Sequence, residues 1–167
     1  MEAVIFIGLQ ASGKSSFYQE KFIDTHIRIN LDMLKTRHRE KILFNACLEA
    51  KQSLVIDNTN PTRKERSYYI KSAREKKFQI IGYYFCSKLE DCKIRNQQRI
   101  STVSLVGLLA TYKKLELPSY EEGFDRLFYV RIAANRLFVV EEWQLAYSKT
   151  NSSVSPDKST SFTVLTS

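Results

Sequence analysis

Residues 3–15 read AVIFIGLQASGKS. The apolar run that opens this stretch is typical of a buried parallel strand, and the remainder fits G-x-x-x-x-G-K-[ST], the phosphate-binding loop. Gly8 and Gly13 permit backbone angles that other residues avoid, so the N–H groups of the loop can converge on phosphate oxygens beside the next helix. Lys14 is expected to reach the β- and γ-phosphates of a nucleotide, and Ser15 to help hold Mg²⁺.

Strand and helix patterns alternate along the rest of the chain. We predict strands near residues 27–31, 53–57 and 78–85, helices over 14–22, 32–52, 62–77, 87–99 and 104–115, and a C-terminal hairpin from 127–132 and 137–143. Capping boxes are expected where Thr62 precedes Glu65 and where Ser87 precedes Glu90. The alternation predicts an α/β protein with a P-loop NTPase fold, in which helices flank a parallel sheet. Ligands of such sheets bind at the carboxyl ends of the strands.

Composition indicates a soluble globular protein, with 43% hydrophobic and 26% charged residues. We expect one domain over residues 1–147 and a mobile Ser/Thr-rich tail over 148–167. No apolar stretch is long enough to span a membrane, no secretion signal is visible, and the three cysteines lack CxxC spacing, so we expect a cytoplasmic protein. The net charge of +8 suggests a polyanionic partner such as RNA or DNA, with simple solubility as the alternative.

Polar side chains follow two of the predicted strands. A carboxylate at Asp32 can accept the proton of an attacking hydroxyl, although aspartate is also a favoured helix N-cap. Lys35, one helical turn later, can pair with a substrate phosphate. Asp57 ends an apolar strand in the Walker B arrangement, where the carboxylate contacts Mg²⁺ directly or through water, although a polar turn is the alternative. Further hydrogen-bonding groups come from Asn58, Thr59 and Asn60.

Basic residues form two further clusters. Arg95 and Arg99 share a helix face and can clamp a triphosphate, with a solvated basic face as the alternative. Tyr68 and Tyr69 are interleaved with seven basic residues: Arg63, Lys64, Arg66, Lys71, Arg74, Lys76 and Lys77. This helix is either a track for a phosphate backbone with stacking groups or a solvated face whose tyrosines pack on the sheet.

Together these motifs resemble the kinase domain of the 5′-hydroxyl polynucleotide kinase family, which includes phage polynucleotide kinases and the kinase half of polynucleotide kinase–phosphatase. The resemblance covers residues 2–143 and is carried by the phosphate loop, Asn30-Leu31-Asp32, IDNTNP at 56–61, Arg95-Asn96 with Arg99, and the YKK and LPSYEEGF pieces at 112–114 and 117–124. It implies a kinase-type P-loop fold and transfer of the γ-phosphoryl group of ATP, with Mg²⁺, to the 5′-hydroxyl of RNA or DNA.

The resemblance also implies a role for each matching residue. Asp32 would be the general base, Asp57 would support the metal with Ser15, and Arg95 and Arg99 would be lid arginines on the ATP phosphates. From the loop pattern and the position of the polar and basic groups, we expect ATP to be held by Gly8, Ala11, Ser12, Gly13, Lys14, Ser15 and Ser16, and the acceptor by Asp32, Lys35, Asn58, Thr59, Asn60 and Arg63. Phage relatives often have arginine at the position of Lys35, so this chain keeps the charge there without the bidentate fork.

Two other functions stay open on the sequence. One is a kinase of the same architecture that acts on a small molecule such as a nucleoside, a nucleotide sugar or another metabolite. The other is a nucleotide-binding switch or nucleic-acid adaptor that transfers nothing. On the polynucleotide interpretation, we expect any phosphatase or ligase activity to come from a separate chain.

Overall fold

The structure, a computed structural model, describes residues 1–98, 100 and 102–144. Its sheet contains six strands in this part of the chain: β1 (Glu2–Ile7), β2 (Ile27–Ile29), β3 (Leu54–Ile56), β4 (Gln79–Phe85), β5 (Arg126–Ile132) and β6 (Phe138–Glu142). They lie in the order β2-β3-β1-β4-β5-β6. All neighbouring strands are parallel except β5 and β6, which pair antiparallel. The predicted parallel sheet with a C-terminal hairpin is confirmed.

The strands are connected by helices, as the alternation of patterns predicted. The described helices are α1 (Lys14–Lys21), α2 (Leu31–Leu34), α3 (Arg37–Glu49), α4 (Arg63–Glu75), α5 (Leu89–Gln97) and α6 (Leu105–Lys114), with a 3₁₀ turn at Tyr120–Glu122. None of the helices in the described ranges is long and apolar enough to cross a membrane. The predicted tail over 148–167 lies outside the described residues.

Both faces of the sheet are covered. On one face, Ile5 of β1 belongs to a core with Phe44 of α3 and Ile70 of α4. On the other face, Phe6 belongs to a core with Phe17 of α1. Because successive strand residues point to opposite faces and both faces are buried, β1 is an unbroken apolar run. The sheet therefore holds the following phosphate loop at its carboxyl edge.

The single helix predicted over 32–52 is wrong, because the chain forms α2 and α3 instead. Lys35 ends α2 with φ 71°, in the left-handed region, and Thr36 begins α3 by accepting a hydrogen bond from the N–H of Arg39. Neither glycine nor proline lies at this break, and the helical spacing of apolar residues continues through it, so nothing in the sequence indicated two helices. The side chain of Lys35 is exposed and does not lie one helical turn beyond Asp32 on a continuous helix.

The two predicted caps have different outcomes. Thr62 caps α4 by accepting a hydrogen bond from the N–H of Glu65 at 3.2 Å. The capping box predicted at Ser87 is wrong, since Lys88 is the N-cap of α5 and makes no side-chain cap bond. The Ser87 hydroxyl instead accepts from the N–H of Leu9 at 3.0 Å and donates to the Phe85 carbonyl at 2.7 Å. Ser87 thereby joins the end of β4 to the phosphate loop.

The basic face of α4 is smaller than the sequence suggested. Arg66 is fully buried, and its guanidinium donates to both carboxylate oxygens of Glu122 at 2.7 and 2.8 Å. It also donates to the backbone carbonyls of Asn60, Pro61 and Glu116. Arg66 therefore cannot belong to a track for nucleic acid, because its charge is neutralised inside the fold.

Candidate active site

The phosphate loop joins β1 to α1 through residues that adopt positive φ. Gly8 has φ 150° and Gly13 has φ 101°. A Cβ at Gly8 would lie 3.1 Å from atoms of both Phe85 and Ser87, so a side chain there would require its neighbours to shift. The N–H of Gly8 donates to the carbonyl of Thr59 at 3.0 Å. The loop is thus held from two sides, by the end of β4 and by the segment after β3.

Lys14 is buried at the start of α1. Its ammonium group donates to the backbone carbonyls of Gly8 at 3.0 Å and Leu9 at 2.5 Å, and it lies 3.2 Å from the hydroxyl of Ser12. These bonds hold the Lys14 ammonium group at the loop. A cation in this position is suited to bind the phosphates of a nucleotide.

A cavity of about 670 Å³ lies over the phosphate loop. Most of the predicted site residues line it together: Ala11, Gly13, Lys14, Ser15, Ser16, Asp32, Asp57, Asn58, Thr59 and Arg95. Gly8, Ser12, Lys35, Asn60 and Arg63 are not part of its described lining. Arg99 lies outside the described residues, and α5 ends at Gln97 rather than at Arg99. The cavity therefore brings the proposed nucleotide, metal and general-base residues to one place.

Asp32 is exposed within α2 and faces this cavity. The N-cap of α2 is Asn30, whose side-chain oxygen accepts from the N–H of Met33 at 3.0 Å. The alternative in which Asp32 is the N-cap is therefore contradicted. Among the described residues, no hydrogen bond uses the Asp32 carboxylate. An exposed carboxylate on a short helix at the cavity wall is available to an incoming hydroxyl.

Asn58 fixes the position of α2 relative to the sheet. Its side-chain oxygen accepts from the N–H of Leu31 at 2.9 Å, and its amide nitrogen donates to Glu40 at 2.5 Å. Glu40 is buried and also accepts from Arg37 at 2.8 Å and from the Tyr69 hydroxyl at 3.0 Å. Burial and the nearby Glu40 carboxylate raise the pKa of the Tyr69 hydroxyl, which therefore stays protonated as a donor.

Asn60 is also engaged inside the fold. Its φ is 43°, and its buried amide nitrogen donates to the carbonyl of Phe6 at 2.7 Å. This bond ties the segment after β3 to β1. The amide nitrogen of Asn60, predicted from the sequence to serve the substrate, is therefore used to shape the loop.

Ser15 and Asp57, the two metal ligands predicted from the sequence, lie side by side. The Ser15 hydroxyl lies 3.3 Å from Asp57, whose side chain is 1% exposed. Hard oxygen donors of this kind suit Mg²⁺, which usually takes its other ligands from phosphates and water. The described residues contain no cluster of three or more His, Cys, Asp and Glu that could hold a metal. Two neighbouring oxygen donors fit a metal that takes its remaining ligands from a nucleotide and water.

Arg28 of β2 is a part of this site that the sequence did not predict. Its guanidinium donates to Asp57 through Nε at 2.8 Å and through Nη2 at 2.5 Å, and to the Ser15 hydroxyl at 2.8 Å. A short strand with one arginine gives no signal of such a contact. Arg28 can be assigned to the site only once β2 and β3 are known to be neighbours.

A second cavity, of about 480 Å³, adjoins the first. Arg37, Asn58 and Thr59 line both, so the two spaces share a wall. Lys41 of α3, Lys114 of α6 and Tyr68 of α4 face the second cavity, and Asn60 contributes to it as well. The Tyr68 side chain is 41% exposed there. Sequence reasoning assigned no role to Arg37 and Lys41 of α3, and it included Lys114 of α6 only within the YKK piece, because no motif links the two helices.

The C-terminal hairpin closes the opposite side of the first cavity. Ile132, Arg136 and Phe138 line it. A Cβ on Gly13 would lie 3.0 Å from Ile132 and 3.1 Å from Phe138, so the hairpin packs directly against the phosphate loop. The Arg95 guanidinium donates to the Ala11 carbonyl at 2.9 Å on the same loop. Arg95 and Arg136 thus add positive charge around the place expected for phosphates.

Comparison with known proteins shows what this chain is similar to. A family model described as an AAA domain matches residues 35–105. The bifunctional polynucleotide phosphatase/kinase of Schizosaccharomyces pombe is 29% identical over 132 residues, which make up 75% of this chain and 32% of that protein. A putative bifunctional polynucleotide phosphatase/kinase of Acanthamoeba polyphaga mimivirus is 27% identical over 158 residues, or 89% of this chain and 38% of that protein. The chain spans about a third of the length of these curated relatives.

Among solved structures, a gluconokinase from Sinorhizobium meliloti 1021 matches with a TM-score of 0.59 at 17% identity, over 79% of this chain and 83% of that one. The chain has the P-loop kinase fold. The resemblance to polynucleotide kinases that the sequence motifs indicated is confirmed by the two curated relatives. Within the P-loop kinase fold, the first cavity lies at the carboxyl edge of the parallel strands, where ligands of such sheets bind.

Proposed function

We propose that this chain transfers the γ-phosphoryl group of ATP to the 5′-hydroxyl of an RNA or DNA end. The observation that carries the proposal is that Asp32 and Lys14 line one cavity, which adjoins a second cavity whose described lining includes three basic residues, two tyrosines and two glutamates. The names of the two curated relatives support a polynucleotide as the acceptor. We further propose that the chain corresponds to the kinase part of those longer proteins.

In this proposal each residue of the first cavity has a distinct task. Lys14 and Arg95 bind the phosphates of ATP and offset their charge as the phosphoryl group moves. Asp32 accepts the proton of the attacking hydroxyl. Ser15 and Asp57 hold Mg²⁺, which when bound neutralises charge on the β- and γ-phosphate oxygens. The site residues thus supply positioning and electrostatic stabilisation, which are the main needs of phosphoryl transfer.

The second cavity is proposed to hold the nucleotide that carries the 5′-hydroxyl and its 3′ neighbour. Arg37, Lys41 and Lys114 supply positive charge for backbone phosphates, and the Tyr68 ring can stack on a base. A site with binding groups for a phosphate and for the neighbouring base suits a polynucleotide better than a compact metabolite. Lys35 and Arg63 line neither cavity within the described part of the chain, so they are proposed to contact the acceptor only beyond these two nucleotides.

The acceptor is tested by offering ATP labelled in the γ-phosphate to several acceptors in parallel. Single-stranded 5′-hydroxyl RNA and DNA oligonucleotides, nucleosides and a pool of small metabolites are each incubated with the chain and Mg²⁺. We expect label on an oligonucleotide. Label on a metabolite with none on oligonucleotides would instead show a small-molecule kinase.

The general base is tested by Asp32→Asn. We expect ATP affinity to be retained and turnover to fall by about 10²- to 10⁴-fold, the usual contribution of general-base catalysis. Asp24→Asn, an exposed aspartate outside both cavity linings, is the matched control and should leave turnover unchanged. Near wild-type turnover in Asp32→Asn would refute the assignment, and binding of ATP without transfer to any acceptor would indicate a nucleotide-binding switch.

A further inference from the structure

Arg28 bonds to both of the predicted metal ligands, Asp57 and Ser15. Its side chain is 25% exposed and reaches from the edge strand β2 to the buried carboxylate of Asp57, with its guanidinium carbon 5.4 Å from the centre of the Tyr18 ring. A buried carboxylate without a partner is strongly unfavourable, so the ion pair accounts for the burial of Asp57. The same guanidinium also bonds to the Ser15 hydroxyl.

This contact places a fixed positive charge beside the proposed metal ligands. The distance from Arg28 Nη2 to Ser15 Oγ is 2.8 Å. A Mg²⁺ ion bonded to Ser15 Oγ at about 2.1 Å would therefore lie no more than about 5 Å from that nitrogen, whatever its direction of approach. The Asp57 charge that would attract the ion is already balanced by Arg28. A divalent cation that arrives alone thus meets a site with little net negative charge.

We propose that Arg28 makes cation binding at Ser15 and Asp57 conditional on nucleotide phosphates. A triphosphate bound at Lys14 adds several negative charges beside the same hydroxyl, which outweigh the repulsion from Arg28. The site then accepts a divalent cation as part of a nucleotide complex and rejects the free ion. This inference rests on the metal ligands of the proposed function and is independent of which acceptor is phosphorylated.

The proposal is tested by measuring the binding of Mn²⁺ to the full chain without nucleotide, using electron paramagnetic resonance at low ionic strength. In Arg28→Gln, the side-chain amide nitrogen replaces the Nε that bonds to Asp57, but the variant has no charge and no counterpart of the Nη2 that bonds to Ser15. We expect Arg28→Gln to bind Mn²⁺ about five- to tenfold more tightly than the wild type, and this gain to shrink as salt is added. Arg28→Lys keeps the charge and should bind Mn²⁺ as weakly as the wild type.

Two controls locate the effect. Arg126→Gln removes an exposed arginine at the amino end of β5, away from the carboxyl edge, and should leave Mn²⁺ affinity unchanged. The double variant Arg28→Gln with Asp57→Asn should lose the gain. Equal or weaker Mn²⁺ binding in Arg28→Gln would overturn the proposal, as would a gain that survives Asp57→Asn.

The wild type keeps the proposal testable if Arg28→Gln does not fold. Equilibrium dialysis with and without a non-hydrolysable ATP analogue should show at least tenfold more Mn²⁺ retained at the site when the analogue is bound, a coupling of about 1.4 kcal/mol. Equal retention in both conditions would refute the role of Arg28. Oligonucleotide labelling is scored separately, so tighter Mn²⁺ binding in Arg28→Gln without labelling would support Arg28 and reject only the acceptor.

Discussion

At the scale of single residues, the polar side chains after β3 mostly serve the fold. Asn58 bonds to Leu31 and Glu40, and Asn60 bonds to Phe6. The sequence correctly indicated that polar groups collect at this edge, because an apolar strand followed by DNTN places them at its carboxyl end. It could not assign their partners, since Glu40 and Leu31 are distant in the chain and carry no recognisable spacing. The prediction that Asn58 and Asn60 contact the substrate therefore did not include the hydrogen bonds that both side chains make within the protein.

Asn58→Ala tests whether this bonding positions the general base. The change removes the acceptor of the Leu31 N–H and one donor to Glu40, so α2 keeps only the bond from the Asn30 amide to the Asp57 carbonyl as its side-chain link to the end of β3 among the described hydrogen bonds. We expect unfolding free energy to fall by about 1–3 kcal/mol and turnover to fall by about tenfold or more, with ATP affinity nearly unchanged. Asn45→Ala, an exposed asparagine of α3, is the matched control. Unchanged turnover in a folded Asn58→Ala protein would argue that α2 needs no such support.

Asp125 provides a prediction on pH. Burial raises the pKa of this carboxyl, but the Ile80 N–H at 2.7 Å and the Arg74 guanidinium at 2.9 Å outweigh it, so the net pKa lies below the usual value of 3.8. A carboxyl whose pKa is lower in the folded state stabilises the fold above its unfolded pKa, and this contribution is lost as pH falls through the folded pKa.

We therefore expect Asp125→Asn to cost about 1 kcal/mol at neutral pH, because the ion pair is partly solvent-exposed, and progressively less below about pH 4. Urea unfolding of both proteins at a series of pH values measures the difference. A difference that stays constant down to the acid limit of folding would show that the Asp125 charge does not contribute.

At the scale of elements, the strands and the hairpin were predictable and the connections between helices were not. Apolar runs and their alternation are local signals, whereas the break at Lys35 depends on how α2 and α3 pack. The link between α4 and the 3₁₀ turn is likewise non-local. Glu122 binds Arg66, Gly123 adopts φ 106°, and Phe124 is buried in the core. The ion pair, the backbone conformation and the buried ring give a physical reason for the Glu-Gly-Phe piece, which the sequence matched only by resemblance.

Glu122→Ala tests the link between these elements. It leaves the fully buried Arg66 guanidinium without its carboxylate, and the loss of one partner from a buried pair costs about 3–5 kcal/mol of unfolding free energy. Exposed Glu121→Ala, one position earlier, should change stability by less than about 0.5 kcal/mol. Denaturant unfolding measures both. A loss under 1 kcal/mol in Glu122→Ala would mean that the pair does not hold α4 to the turn.

At the scale of the whole molecule, the position of the first cavity was predictable and that of the second was not. A parallel sheet with a phosphate loop after β1 must gather its ligands at the carboxyl edge. The second cavity forms where α3, α4 and α6 pack together, and no pattern in the sequence indicates that these helices are neighbours. The net charge of +8 indicated a polyanionic partner without showing which cations would meet it. The structure offers two alternatives, the cavity lysines and the outer face of α4.

The salt dependence of oligonucleotide binding distinguishes these alternatives. For single strands, the logarithm of affinity falls with the logarithm of salt by about 0.7 for each phosphate neutralised, so Arg37, Lys41 and Lys114 together predict a slope of about −2. Lys41→Gln with Lys114→Gln should reduce it to about −0.7. Lys64→Gln with Lys71→Gln, exposed on α4 outside both cavity linings, changes the net charge equally and should leave the slope intact. The reverse outcome would move the bound strand to the outer face of α4, because counterion release follows phosphate contacts rather than net charge.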